Sequence, residues 1–436
     1  METDETPNLQ TPTPEIPARW LANFLPMFVG QIFSLLGSSL VQFALVWYVT
    51  KLTGDASVLA TASTAALIPN ILLGPFVGAL VDRWNRKRVM IYADLIVALA
   101  TAILALLFAT NQIEIWHIYL ILFVRSLAGI FQGPAKTASI SMMVPKSQLT
   151  RLGGINQAVQ GLIDTFSPAL GALLIEILPM QGVLAVDVIT AALAVLLLIF
   201  FVKIPQPPAV SSDETVTPKS ILADVRYGFK YILNWKGLLI IILIASMLNM
   251  FLAPTGNLQP LLITEFFQKG ARELAWMQVA MGAGAIVGGL ILGVWGGFRR
   301  KVINSMLGIV GISLGTLTIG MLPQSGFWFT VVLSCFIGLS SSLTNGSLGP
   351  LLQTKVPPQV QGRVFTVLTS LSLGMMPVGL YLSAPIAKHF GIQATYLAAG
   401  VLGLTMVVFA LTNRDVMTFD DQLPGGEIAV AAEDLN

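Results

Sequence analysis

Gly78-Ala79-Leu80-Val81-Asp82-Arg83-Trp84-Asn85-Arg86-Lys87-Arg88 is a short basic loop between two long apolar runs. Half a chain later the same setting returns as Gly293-Val294-Trp295-Gly296-Gly297-Phe298-Arg299-Arg300-Lys301. A second pair keeps nearly the same offset: Val144-Pro145-Lys146-Ser147-Gln148-Leu149-Thr150-Arg151 is answered by Val356-Pro357-Pro358-Gln359-Val360-Gln361-Gly362-Arg363. A helical chain that repeats itself at half its length is built from two related bundles.

The solvent follows from composition. The 436 residues are 55% hydrophobic and 11% charged, with mean hydropathy +0.79, whereas a soluble domain carries roughly 25% charge. Apolar stretches of the roughly 20 residues needed to cross a bilayer recur along almost the whole chain. The sequence therefore predicts an all-α membrane protein with twelve transmembrane helices in two pseudo-symmetric six-helix bundles. The predicted spans are 22–50, 56–81, 88–111, 116–143, 152–178, 182–203, 238–262, 274–297, 302–322, 327–353, 362–387 and 392–413.

Residues 1–21 read as a disordered cytoplasmic tail, 22–203 as the N-terminal bundle and 204–237 as a cytoplasmic linker. Residues 238–413 form the C-terminal bundle, and the acidic stretch 414–436 reads as a second cytoplasmic tail. The linker opens with Pro205, Pro207 and Pro208 and continues into a basic amphipathic stretch from Lys219 to Lys236. Lys and Arg gather in the loops after even-numbered spans, whereas the other side has only Lys51, Lys269, Arg272 and Lys388. That asymmetry predicts a cell-membrane protein with both termini in the cytoplasm.

Several function classes drop out. The net charge of +2 is spread over short loops and offers nucleic acid no basic patch. Cys335 is the single cysteine, and His117 and His389 lie far apart, so neither a disulfide nor a Cys/His metal site is expected. No GxxxxGK[ST] loop supplies nucleotide chemistry. The histidines have no catalytic neighbours within their own segments, so an enzyme is not expected.

Polar side chains inside a span are costly unless they face protein or water. Gln31, Ser34, Ser38 and Gln42 make one stripe on span one. Arg125, Gly129, Gln132 and Lys136 do so on span four, Ser246, Asn249, Ala253 and Asn257 on span seven, and Ser334, Gly338, Ser341 and Asn345 on span ten. These four spans are related by the internal repeat. Their stripes either line a shared water-accessible path or let helices pack closely through small and hydrogen-bonding residues. Span five adds Gln157, Gln160 and Asp164 on one face, followed by Ser167-Pro168, where the proline removes a helical hydrogen bond. Met27, Phe28, Phe33, Phe131, Met247, Met250 and Phe251 are candidates for an adaptable apolar lining, or for ordinary packing.

Charged groups at these depths cost about 2.5–3.5 kcal/mol each on insertion scales. Asp164 lies near the middle of span five and Arg125 near the middle of span four, with Asp94 inside the cytoplasmic end of span three and Asp187 toward the outer end of span six. Each carboxylate is a candidate proton carrier or half of a structural ion pair, and Arg125 a coupling, gating or structural residue. Asp164, Arg125 and Asp94 are the expected proton-coupling set.

Gly78-x-Leu80-x-Asp82-Arg83-x-x-Arg86-Lys87-Arg88, with twelve spans in two halves, resembles the signature loop of the major facilitator superfamily. The resemblance implies that Asp82, Arg83 and Arg86 latch the cytoplasmic face; Asn85 stands where Gly is usual, and the second copy of the loop lacks an acidic residue. Arg125-x-x-x-Gly129 is similar to the family's proton-coupling Arg motif. Ser167-Pro168-x-x-Gly171 is similar to its antiporter motif, with Ser167 and Ala172 in place of Gly. Glu273-Leu274-Ala275-Trp276-Met277, Gly293-Val294-Trp295-Gly296-Gly297-Phe298, Gln361-Gly362-Arg363-Val364-Phe365 and Trp47-Tyr48-Val49-Thr50 look like the macrolide-efflux branch of the drug:proton antiporters, a likeness running from about Asn23 to Arg414.

The resemblance implies a secondary exporter of a macrolide-like amphipathic solute. It would be driven by the proton gradient without a cofactor, and would work as a monomer in the lipid bilayer. A siderophore or lipid exporter on the same scaffold is the alternative, and a non-transporting membrane sensor a more distant one. The cavity residues expected to meet the solute are Gln31, Ser34, Ser38, Gln42, Gln132, Gln157, Gln160, Asn249, Asn257, Ser341 and Asn345.

Overall fold

The computed structural model describes residues 20–204, 218–356 and 358–421. Six long helices form the first half: α1 (Trp20–Thr53), α2 (Ala56–Arg83), α3 (Arg86–Ala109), α4 (Ile115–Met143), α5 (Lys146–Ile177) and α6 (Met180–Phe201). A shorter helix, α7 (Pro218–Asn234), leads into the second half. That half comprises α8 (Lys236–Asn257), the single turn α9 (Gln259–Leu261), α10 (Ala271–Trp295), α11 (Lys301–Met321), α12 (Phe327–Lys355), α13 (Pro358–Phe390) and α14 (Ile392–Thr412). A last turn, α15 (Arg414–Met417), follows, and no strand occurs among the described residues.

Eleven helices are long and apolar enough to cross a membrane by length and composition. The twelfth, α5, has 32 residues and is longer than the bilayer requires. Its polar face of Gln160 and Asp164, with Asn156 nearer its start, lowers its hydropathy. The twelve-helix, two-bundle architecture read from the sequence is the observed one. Helices α5 and α13 start earlier than predicted, at Lys146 and Pro358, because a proline stands at or just before the first helical position.

Local chemistry sets the helix ends. Asp55 caps α2 by accepting the Ser57 amide at 2.7 Å, and Asn85 caps α3 by accepting the Arg88 amide at 3.1 Å. Asn85 thus earns its place in the first basic loop as an N-cap. In the same loop the Lys87 ammonium donates to the carbonyls of Ile199 and Val202, at 3.1 and 2.8 Å, at the C-terminal end of α6. In the second half, α10 and α12 touch backbone to backbone. A Cβ on Gly284 would stand 1.8 Å from the Cys335 carbonyl oxygen, and one on Gly338 would stand 1.8 Å from that of Met281.

The acidic tail expected from residue 414 onward is partly ordered structure. Asp420 accepts the backbone amides of Lys301 and Val302, both at 3.0 Å, and so caps the start of α11. Asp421 pairs with Arg300 at 3.0 Å, and buried Phe419 stacks on Trp235. The acid missing from the second basic loop is therefore supplied by the C-terminal end. Sequence spacing hid this because the partners are far apart along the chain.

The halves meet along two symmetry-related seams, α5 against α10 and α2 against α13. At the end away from the basic loops, one apolar cluster runs through both halves, from Val41, Leu45 and Leu104 to Leu262, Phe267 and Tyr396. At the basic end the apolar packing divides in two. One cluster, around Met27, Val81 and Met90, belongs to the first half, and the other, around Ile242, Val302 and Val407, to the second. Among the described residues, the interior is thus sealed at the far end and its apolar packing is split at the basic end.

Among the described residues, two side-chain pairs tie the seal by polar contact. Ser63 on α2 donates to the Asn257 side-chain oxygen on α8 at 2.6 Å. Arg272 on α10 reaches Glu176 on α5, with its Nε at 2.7 Å. Cross-linking should test the seal. In a Cys335→Ser background, Glu176→Cys with Arg272→Cys, bridged by a short reducible reagent, should arrest turnover, and reductant should restore it. Unimpaired turnover in the cross-linked protein would show that this end never opens.

Candidate functional site

Between the halves lies a cavity of two connected volumes, about 720 and about 1530 Å³, that share Asp164 and Gln278 on their walls. The smaller is lined mainly by the first half and the larger mainly by the second. Gln31, Ser34, Ser38, Gln42, Arg125, Gly129, Gln132, Lys136 and Gln160 face the smaller volume. Asn249, Ser334, Gly338 and Ser341 face the larger. Asn345 lies with Asn249 on a side pocket of about 190 Å³ among α8, α11 and α12.

Behind the first-half wall stand two polar layers. The one nearer the basic end is centred on Asp94 of α3, which is 1% exposed. Its carboxylate accepts from Gln31 at 2.9 Å, Ser34 at 2.8 Å and Gln132 at 2.7 Å, and Gln132 also donates to the Gln31 oxygen at 3.0 Å. The other layer joins Arg125 of α4 to Asp187 of α6, which is fully buried. Asp187 further accepts from Ser38 at 3.0 Å and Thr101 at 2.9 Å.

Helices α1, α3 and α4 contribute to both layers, two turns apart, and α6 adds Asp187 to the second. Gln31 and Ser38 on α1, Asp94 and Thr101 on α3, and Gln132 and Arg125 on α4 are each separated by about 10 Å along the axis. One layer holds a carboxylate with only neutral donors among the described residues; the other holds a carboxylate with a guanidinium. The arrangement keeps ionisable groups inside a bilayer while giving every carboxylate oxygen a donor.

Other expected site residues fall elsewhere. Asp164 is exposed to the cavity and takes no part in either layer; its Oδ1 accepts from Gln160 one turn earlier at 2.9 Å. Arg125 therefore pairs with Asp187, not Asp164. Asn257 stands off the cavity wall, in the hydrogen bond to Ser63 that crosses the sealed end. Of the candidate apolar lining, Met27 and Phe28 are buried in the first-half core, and none of Phe33, Phe131, Met247, Met250 or Phe251 lines these volumes. The apolar wall is made instead by Leu252, Met281, Ile312, Ile337 and Met376.

The side chains of Asp82, Arg83 and Gln157 lie outside the described residues. Arg86, the remaining latch candidate, reaches the Met142 sulfur on α4. Sequence reasoning overlooked Thr101 and Gln278. Thr101 is an ordinary small residue on an apolar helix, and only its reach to Asp187 marks it out.

A sequence profile of the Major Facilitator Superfamily matches residues 27–372 and 238–427. Macrolide efflux protein A of Streptococcus pyogenes is 31% identical over 403 residues, 92% of this chain and 98% of that protein. The protein of the same name in Enterococcus faecalis is 32% identical over 75% of this chain and all of its own length. The multidrug efflux pump Tap of Mycolicibacterium fortuitum is 26% identical over 86% of this chain and 91% of its own.

Among solved structures, the nucleoside transporter NupG superposes with a TM-score of 0.69 at 15% identity, covering 89% of this chain and 100% of its own. A POT family transporter in complex with 5-aminolevulinic acid does so with 0.70 at 12% identity, covering 88% and 94%. The chain belongs to the major facilitator superfamily, and it is a multi-pass membrane transporter. The likeness to the macrolide-efflux branch noted in the sequence is borne out.

Arg125 and Asp187 have an energetic consequence. Removing one member of a buried pair costs about 3–5 kcal/mol, because the other is left buried and charged. Asp187→Asn alone should lower the denaturation midpoint of the purified protein sharply. Asp187→Asn combined with Arg125→Gln should recover most of the loss. A double variant no more stable than the single one would show that the two residues are not coupled.

Proposed function

We propose that this transporter is a secondary exporter that moves an amphipathic organic solute, of the macrolide class, out of the cell in exchange for protons. The observation that carries the reading is the cavity shared by the two halves, sealed at one end and split at the other. In this reading the basic loops and both termini face the cytoplasm, and the structure stands in its inward-open state. The solute enters from the cytoplasm or the inner leaflet. Rocking of the halves about the α5–α10 and α2–α13 seams then opens the far end. One chain encloses the whole cavity, so a monomer suffices.

Two features support export of a large, partly apolar cargo. The combined cavity exceeds the roughly 300–1,000 Å³ typical of a small-molecule site. Its second-half wall offers methionines and aliphatic side chains, which adapt to varied shapes. The relatives, a macrolide efflux protein and a multidrug efflux pump, point the same way.

For the proton, the reading assigns Asp94 as the carrier and the Arg125–Asp187 pair as the element that couples it to the cavity. Asp94 can be neutralised inside the bilayer by a proton, since its partners Gln31, Ser34 and Gln132 bring no opposite charge. Those partners also line the cavity, so a change at Asp94 is felt at the wall. Gln132 bridges Asp94 to Gln31 and extends the link across α1, α3 and α4.

Efflux of a radiolabelled macrolide from a pump-deficient bacterium, with and without an uncoupler, tests the whole reading. Uncoupler-sensitive efflux is expected. Asp94→Asn should abolish uphill efflux and leave solute binding within about twofold. Undiminished uphill efflux in Asp94→Asn would remove Asp94 from the proton path. No macrolide efflux from well-expressed wild-type protein would exclude this cargo and bring siderophores and lipids forward.

A further inference from the structure

We infer that Asp164 is the cation-selecting residue of the cavity: it holds the ammonium of a positively charged amphiphile whose apolar body rests on the second-half wall. The inference rests on the exporter reading for its biological direction, but its chemistry stands on the cavity alone. The two walls differ in kind. The larger volume is lined by aliphatic, methionine, amide and hydroxyl side chains, and Asp164 is its single formally charged residue among the described residues. A solute in that volume meets one fixed charge, and the charge is negative.

Asp164 is equipped to bind. It is exposed to the cavity, and no cation pairs with it among the described residues. Its Oδ1 is fixed by Gln160, while its Oδ2 accepts no hydrogen bond among the described residues and is open to an incoming donor. Arg125, the basic residue best placed by sequence to neutralise it, is committed to Asp187. A cationic amine at Oδ2 would satisfy the carboxylate with a charge-assisted hydrogen bond in partly desolvated surroundings, where such pairs are strong.

Position adds to the case. Asp164 belongs to both volumes, at the seam where α5 meets α10. An amine held there leaves the rest of the solute facing Leu252, Met281 and Ile312. The charged head would sit on the first half and the body on the second, so one solute touches both moving parts. Lys136, the unpaired cation of the cavity among the described residues, lines only the smaller volume. An acidic solute would instead be drawn to Lys136 and repelled from the seam. The wall therefore favours cations over neutral solutes and neutral solutes over anions.

The role is separable from proton carriage. A proton carrier is needed for uphill export of any solute, whereas a cation-selecting carboxylate is needed only for charged ones. Purified protein in nanodiscs would be titrated with three probes. These are a labelled macrolide bearing its free amine, the same macrolide with that amine converted to a neutral amide, and tetraphenylphosphonium as a cation of unrelated shape. Asp164→Asn should weaken binding of both cations about tenfold or more and leave the neutral amide within about twofold. Tenfold corresponds to about 1.4 kcal/mol. Asp164→Glu should restore most of the cation affinity, which a purely structural role would not predict.

Equal losses for charged and neutral probes would overturn the inference, as would failure of the wild type to bind either cation. Loss of uphill export of the neutral amide in Asp164→Asn would likewise overturn it, because that result makes Asp164 the proton carrier. Wild-type protein that binds the cations but never moves them across a membrane would sink the exporter reading and leave the cation site standing.

Discussion

The interior of a bilayer offers no hydrogen-bond partner to a charge or a backbone amide, and the structure is arranged around that constraint. Every span is a helix because a helix satisfies its own backbone. The side chains that break the apolar rule are then forced together. Asp187 reaches the bilayer interior only with Arg125, Ser38 and Thr101 around it, and Asp94 only with Gln31, Ser34 and Gln132. These two knots bind α1, α3, α4 and α6 into one body. In the second half close packing and hydroxyl-to-carbonyl hydrogen bonds do the same task. Ser342 donates to the Ala285 carbonyl and Tyr396 to that of Thr255, both at 2.6 Å. Helices α10 and α12 approach closely enough that Gly284 and Gly338 leave no room for a methyl group.

The two halves therefore share a geometry and differ in chemistry. The internal repeat matches span for span, and the seams α5–α10 and α2–α13 are related by it. Yet among the described residues the buried charges all lie in the first half, while the second contributes amides, hydroxyls and apolar surface to the cavity. In the proposed function the first half senses charge and the second accommodates shape. A duplicated bundle can divide the labour this way because the buried charges of the first half are satisfied within that half, and the core the two halves share is apolar.

Much of this was legible in the sequence. Hydropathy and loop charge gave twelve spans with their two halves, since both signals are local and strong. The stripes on spans one, four, seven and ten could be read because a helix places every third or fourth residue on one face. Pairings were not legible. That Arg125 would choose Asp187 over Asp164, or that Asn257 would turn to Ser63, depends on how helices rotate against one another, and packing decides that at long range. The C-terminal Asp420 and Asp421 were hidden for the same reason. A tail looks solvated until the helix end it caps is known to lie beside it.

Interaction strength then indicates where the molecule can move. Within the first half, the Arg125–Asp187 pair is buried, and separating it costs several kcal/mol. Across the sealed end the polar contacts are of another kind. The Arg272 and Glu176 side chains are 68% and 34% exposed, and such surface pairs are worth about 0–1 kcal/mol. The Ser63–Asn257 hydrogen bond adds about 1 kcal/mol. Apolar contact between the halves holds the seal, and that contact has no directional bonds to break one by one. With buried ion pairing inside the first half and only weak polar ties across the sealed end, the angle between the halves is the coordinate the polar contacts restrain least. Solute spanning Asp164 and the second-half wall would act on that coordinate directly, because it touches a different body at each end.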